Sequence, residues 1–252
     1  MTKSPNKRLF IQAFLGAFEA IHKNSKMVFL LWLFVFLPSA ILSEALDYYM
    51  NDVNLKSSGA FIALIIAIFV GIVLIAFEYS IAMLIALRSK IEYPHTMSQM
   101  ILYVYSKLSY LVQALLLSAV AFLVGLVALV LPAIYLWVAL SFVFPIILFE
   151  HETPQKSLEI SCRRINKFFL DMFIICLIVF AADMMIVGAF YFLPQSPQAL
   201  IMKNILQSII IVISLFVTFE VYWQVYLKDT NKEELVSSLA VEKSPTSPSQ
   251  VF

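Results

Sequence analysis

The sequence predicts an all-α fold: a polytopic membrane protein with six transmembrane helices and about three cytoplasmic amphipathic helices along the interface. Three observations predict it. Of 252 residues, 62% are apolar and only 13% charged, whereas soluble domains run nearer a quarter charged and under half apolar. The apolar residues gather into six continuous runs near the ~20 residues that cross a hydrocarbon core as a helix. All but two of the 17 lysines and arginines fall in segments that alternating spans leave on one side. β-Barrel strands would alternate in polarity, and these runs do not. A mean hydropathy of +0.92 excludes an ordinary soluble enzyme and a disordered chain. A net charge of +1 gives no basic field for nucleic acid.

Residues 1–26 read as a cytoplasmic N-terminal segment. Lys3, Lys7 and Arg8 would suit a signal peptide, but Gln12 and Glu19 interrupt its apolar region. A helical period fits better. Phe10, Phe14, Phe18 and Ile21 share one side, and Arg8, Gln12, Glu19 and Lys23 form a narrow polar strip opposite. That is the pattern of an interfacial or groove-packing amphipathic helix.

Residues 27–228 read as the membrane domain, with spans at 27–42, 59–87, 110–131, 134–149, 168–193 and 205–227. Pro38 and Pro145 inside the first and fourth imply kinks whose freed carbonyls find partners on neighbouring helices. Pro132 marks a tight turn between the third and fourth. Lysines and arginines before span one, between spans two and three, between four and five, and after six oppose only Lys56 and Lys203. This asymmetry puts both termini in the cytoplasm. The polar tail, 229–252, holds Ser-Pro twice and is expected to be disordered.

Two more amphipathic segments are expected. Thr153 and Pro154 supply an N-cap and a first-turn proline. Leu158, Cys162, Ile165 and Phe169 then form one face, and Lys156, Glu159, Arg163 and Lys167 the other. Glu159 and Arg163 stand at i,i+4 in the favourable order. Thr96 and Gln99 have capping-box spacing, ahead of a stripe of Met97, Met100, Ile101 and Val104. Three helix-plus-hairpin units, starting near residues 8, 95 and 154, thus share a pattern of polarity but not of residue identity.

Catalytic signatures are absent from the sequence: it has no G-x-S-x-G, P-loop or Gly-rich dinucleotide fingerprint. Cys162 and Cys176 lie roughly 21 Å apart along a helix, too far to bridge. His22, His95 and His151 have no second ligand in register, so neither a metal nor a cofactor is expected. His151-Glu152 opens like H-E-x-x-H, but position 155 is glutamine. Glu150-His151-Glu152 reads as a solvated polar turn rather than a cation site.

The sharper signal is the set of acids inside spans: Glu78, Asp183 and Glu220, with Asp171 nearer the start of the fifth. No lysine or arginine lies deep in any span to pair with them. A carboxylate at mid-bilayer costs several kcal/mol on insertion scales, so such groups face protein or water and are often functional. The three acids are expected at shared depth, with Tyr79, Tyr135 and Tyr222 as hydrogen-bond partners. They serve either as glue between helices or as a proton- or cation-coupled translocation site, or else they snorkel to the surface. Small-residue spacing at Ala67–Gly71 and Ala121–Gly125 suits close helix contact. Five glycines are few for a transporter that breaks its helices at the midplane.

The stretch from residue 130 reads VLPAIYLWVALSFVFPIILFE, then TPQKSLEISCRRINKFF from 153. Its Pro132, Tyr135, Pro145 and Glu150, followed by Ser157, Leu158 and Ser161, resemble a bacterial superfamily of multi-pass proteins. That superfamily includes the glycerophosphoryl diester phosphodiesterase membrane domain and YciC-type inner-membrane proteins. The opening FEAIHKNSKMVFLL, from Phe18, is similar to the same family's amphipathic start. Ala133 stands where the pattern has glycine, and Ser157 where it has alanine. The resemblance implies a six-span helical fold in a bacterial inner membrane. It implies no catalytic residues, because relatives with the phosphodiesterase name carry catalysis on a separate soluble domain. The expected role is therefore non-enzymatic: a membrane-structural protein or accessory in envelope homeostasis, touching membrane lipids or a protein partner. The alternative is a small proton- or cation-coupled secondary transporter using Glu78, Asp183 and Glu220.

Overall fold

A computed structural model of the chain describes residues 9–39, 41–42, 58–91, 96–128, 130–192, 196–228, 235 and 239. Every regular element among them is helical. The order is α1 (Leu9–Lys23), α2 (Ser25–Leu31, running on through a π turn, Trp32–Phe36), α3 (Ser58–Arg88) and α4 (Met97–Ala128). Then come α5 (Val130–Ala139), a 3₁₀ turn (Leu140–Phe142), α6 (Val143–Glu150), α7 (Pro154–Ile165), α8 (Phe169–Tyr191) and α9 (Pro197–Tyr222), which ends in a second π turn, Trp223–Leu227.

Five helical stretches are long and apolar enough to cross a bilayer: Leu64–Arg88, Met97–Val127, Pro132–Glu150, Phe169–Tyr191 and Gln198–Leu227. The chain is a multi-pass integral membrane protein. α1 and the Ser25–Ser39 stretch add a sixth candidate, long and apolar enough only when the two are taken together across their bend. Asn24 Nδ2 donates to Ile85 O at 3.4 Å, so α2 starts level with the last turn of α3. The 31-residue α3 begins at the other end, about 40 Å from Ile85 at 1.5 Å per residue. The chain must cover that height between Asn24 and Ser58. Ahead of it, α1 turns 88° away from the Ser25–Ser39 stretch, so α1 lies across the bundle while α2 runs along it.

Two proline expectations meet different outcomes. Pro145 has no N–H, and its ring crowds the carbonyl of residue 141. The preceding turn tightens to 3₁₀, with Val143 N–H bonded to Leu140 O. The Ala139 carbonyl, deprived of its usual donor, accepts the Ser161 hydroxyl. Pro132 lies inside the first turn of α5 rather than in the turn before it, a position where its missing N–H costs no helical bond.

Two amphipathic segments need correction. The 97–104 stretch is not a separate surface helix, because α4 is continuous for 32 residues. No proline interrupts it, and at about 48 Å it outreaches the bilayer, so its first turns project beyond it. The capping box is present, with Thr96 N–H donating to Gln99 Oε1 at 2.8 Å and Gln99 N–H to Thr96 Oγ1 at 3.4 Å. Of its stripe, Met100 and Val104 are buried but Ile101 faces outward, and Tyr103 is buried in its place. Thr153 does stand at the N-cap of α7, without a side-chain cap bond. Its carbonyl instead receives Ser157 Oγ at 2.9 Å. The buried stripe of α7 is Pro154, Ser157, Ser161 and Ile165, one residue round from the expected apolar face. Small hydroxyl residues let α7 press close to the backbone beneath it.

The core gathers at one end. Residues 76–87 of α3, all of α6, and the last turns of α9 are largely buried. Towards the opposite end the outer faces of α3, α4 and α8 expose isoleucine, leucine, valine and phenylalanine, surfaces suited to lipid chains. The densely packed end also carries Lys90, Lys156, Arg163 and Arg164, and is called the basic end below. Of the tail expected to be disordered, Leu235 and Leu239 fall among the described residues. Both are helical and buried in the core, one turn apart, so the expectation does not extend to them.

Candidate functional site

Local chain geometry builds a hub at the basic end. α6 ends at His151, whose φ of 56° is left-handed and halts the helix. Pro154 restarts the chain at the first turn of α7, which brings Arg164 back beside Glu150. The guanidinium meets the carboxylate with two bonds, Nη2–Oε2 at 2.9 Å and Nη1 to Oε1. Tyr222, from α9, donates its hydroxyl to Glu150 Oε1 and accepts from Arg164 Nη1 at 3.3 Å. Tyr226 lies under the guanidinium, 4.6 Å from its ring centre, and donates to Arg164 O at 3.2 Å. Phe142 walls both tyrosines, with ring centres 5.4 and 6.0 Å away. Burial alone would lower the Arg164 pKa, but the bond to Glu150 and its charge outweigh that and hold it above the ordinary value. Three elements, α6, α7 and α9, are thereby tied by one bidentate pair.

A second tie lies on the α1 side. Lys90, two residues past α3, places Nζ 2.7 Å from Glu220 Oε2. Oε2 takes no well-directed hydrogen bond, so this contact is an ion pair. Gln224 Nε2 donates to Oε1 at 2.9 Å. No basic residue lies deep in a span, yet Glu220 gains a basic neighbour from just beyond one. α9 reaches the basic end before it stops, and the long lysine stem carries its charge inward. Gly16 of α1 packs directly on this carboxylate, where a Cβ would overlap it.

The three acids do not converge. Glu220 is at the basic end, Glu78 about 15 Å up α3 from its last residue, and Asp183 about 21 Å up α8 from its first. Asp183 accepts from Gln207 Nε2 at 2.9 Å, tying α8 to α9. Glu78 is 5% exposed and leaves Oε1 without a partner. The expected tyrosine partners also go elsewhere. Tyr79 packs on Phe144 at 5.7 Å, Tyr135 donates to Asn166 Oδ1 at 2.8 Å, and Tyr222 serves Glu150. Nor is 150–152 simply a solvated turn, since Glu152 pairs with Lys156 and Glu150 with Arg164. Among the described residues no group of three histidine, cysteine or acidic side chains could hold a metal.

Of the motif residues, Tyr135, Pro145, Glu150 and Ser161 converge on α7 and its contacts. Glu150 and Ser161 bond it to α6 and to Ala139, Tyr135 bonds its C-terminal end, and Pro145 produces the tightened turn that frees the Ala139 carbonyl. Pro132 is exposed and apart. Sequence reasoning missed Arg164 as the Glu150 partner, as well as Lys90, Gln207 and Gly16. Of the small-residue pairs, Gly125 does meet α5, where a Cβ would come within 2.9 Å of Leu136 and 3.2 Å of Ala133. Gly71 faces open space. No family model, curated protein or solved structure matches the chain.

Proposed function

We propose that this chain is a non-enzymatic protein of a bacterial inner membrane, structural or accessory in envelope homeostasis, with its basic end and both termini in the cytoplasm. One observation carries the reading: the polar groups of the membrane region are used between helices. Glu150–Arg164–Tyr222, Lys90–Glu220 and Asp183–Gln207 each join separate elements, which is the role of glue. The excess of lysine and arginine at one end supports the orientation. The resemblance of residues 130–169 to the multi-pass superfamily supports the inner-membrane location. α1 and α7, lying at that end, would meet lipid headgroups or a protein partner.

Isosteric substitution tests it. Glu78→Gln, Asp183→Asn and Glu220→Gln keep hydrogen-bonding capacity and remove the charge. Protein abundance and rescue of a deletion strain's envelope defect are measured together for each. Rescue is expected for at least two of the three. Loss of rescue at normal abundance in all three would replace this reading with transport. Glu78 is the observation that favours the second reading, because a deeply buried carboxyl with an unpartnered oxygen is where a coupled ion or proton would bind.

A further inference from the structure

The corner where α1 turns into α2 joins positive charge to exposed apolar surface. Lys26, in the first turn of α2, is exposed and pairs with no described residue. Phe29, Leu30 and Phe34 follow at i+3, i+4 and i+8, and all are exposed, Phe34 by 70%. They form a stripe about 8 Å long, one turn along the helix from Lys26. Arg88, the last residue of α3, reaches the same corner, with Nη1 3.4 Å from Met27 Sδ. The bond from Asn24 to Ile85 fixes the two segments against each other. α1 departs at 88°, and among the described residues none buries the stripe.

A cation at the end of a crossing helix, above an apolar stripe on that helix, matches an amphiphile with an anionic head. Free phosphate would leave the stripe unused. A partner helix would leave Lys26 needing a specific acid. Charge and depth together favour lipid. We propose that Lys26 holds the headgroup phosphate of an anionic phospholipid, with its acyl chain along Phe29, Leu30 and Phe34. The site rests on the reading above, that the basic end meets lipid, and names the lipid class.

The test uses the full chain in nanodiscs holding equal phosphatidylglycerol and phosphatidylcholine with identical chains. After detergent extraction, the co-purifying lipids are counted by mass spectrometry. The wild type should retain phosphatidylglycerol preferentially, a comparison that needs no variant. Lys26→Gln should lower that preference about fivefold, the factor one basic side chain contributes at an anionic lipid surface. Lys26→Arg should keep it. Lys156→Gln, at an exposed residue paired with Glu152, should leave it unchanged. No wild-type preference, an unchanged Lys26→Gln, or an equal fall in Lys156→Gln would each overturn the site. None of those outcomes touches the rescue experiment, so the accessory role stands or falls separately.

Discussion

Gly16 is the residue whose size matters most for how α1 sits. Its missing side chain leaves room for the Glu220 carboxylate, itself held by Lys90 and Gln224. Gly16→Ala should therefore displace either the helix or the ion pair, at a cost of about 1–3 kcal/mol by the usual toll of overpacking. Thermal unfolding in detergent reads this, and the loss should shrink in Gly16→Ala with Glu220→Ala, since the two share one contact. At the hub, Arg164→Met strands the Glu150 carboxylate, whereas Arg164→Met with Glu150→Met leaves no charge unpaired and strands only the neutral Tyr222 hydroxyl. The double variant should be the more stable, by about 1–2 kcal/mol because the pair is only partly buried. Glu150 holds the Arg164 pKa above its unfolded value despite burial. Its stabilising effect is then complete below the arginine range and fades only as pH rises beyond it, so melting between pH 6 and 9, roughly, should not shift on its account. None of these partners was legible from sequence. Fourteen residues separate Glu150 from Arg164, and only the left-handed turn at His151 and the return of α7 close that gap.

Amphipathic patterning located α1 and α7 but not the faces they bury. On α1, Gln12, Glu19 and Lys23 are exposed as the polar strip requires. The side against the bundle, however, is Ala13, Gly16, Ala17 and Ala20, while Ile11, Leu15 and Phe18 are 55, 65 and 53% exposed. Hydropathy ranks phenylalanine above alanine, yet close helix approach selects for smallness, so Phe10, Phe14 and Ile21 of the expected face pack only partly against the core and Phe18 faces outward. Phe14 and Phe10, half-buried and 5.0 Å apart, lie between the two sides. Ala17→Leu should accordingly destabilise the detergent-solubilised protein by about 1–3 kcal/mol. Gln12→Ala should be nearly neutral, and Phe18→Glu should act on membrane recovery more than on the melt in detergent. Equal effects on the melt from Ala17→Leu and Phe18→Glu would mean that α1 has no preferred face. α7 repeats the lesson with Ser157 and Ser161, hydroxyl residues that face inward because each has a carbonyl to bond.

For the whole molecule, length and apolarity sufficed to locate five of the spans, since bilayer thickness leaves a helix few alternatives. They could not foretell that packing would be dense at one end and open at the other, which depends on pairings far apart in sequence. The charge bias and the contacts now make one joint demand on topology. Asn24 touches the last turn of α3, Tyr103 donates to Leu148 O at 2.5 Å, and Lys90 meets Glu220. The ends of α3, α6 and α9 and the starts of α2 and α4 must therefore share one side. Under the orientation proposed above, the excess of basic residues assigns that side to the cytoplasm. Reporter fusions after residues 92, 152 and 232 should then report the cytoplasm, and fusions after 50, 132 and 198 the exterior. The fusion after 50 tests the crossing that begins at α2, and a cytoplasmic signal there would leave α3 without a chain to reach its far end. An external signal after 152 would be worse for the whole arrangement. It would move α7 and its arginines across the bilayer and separate Arg164 from the end of α9 that supplies Tyr222.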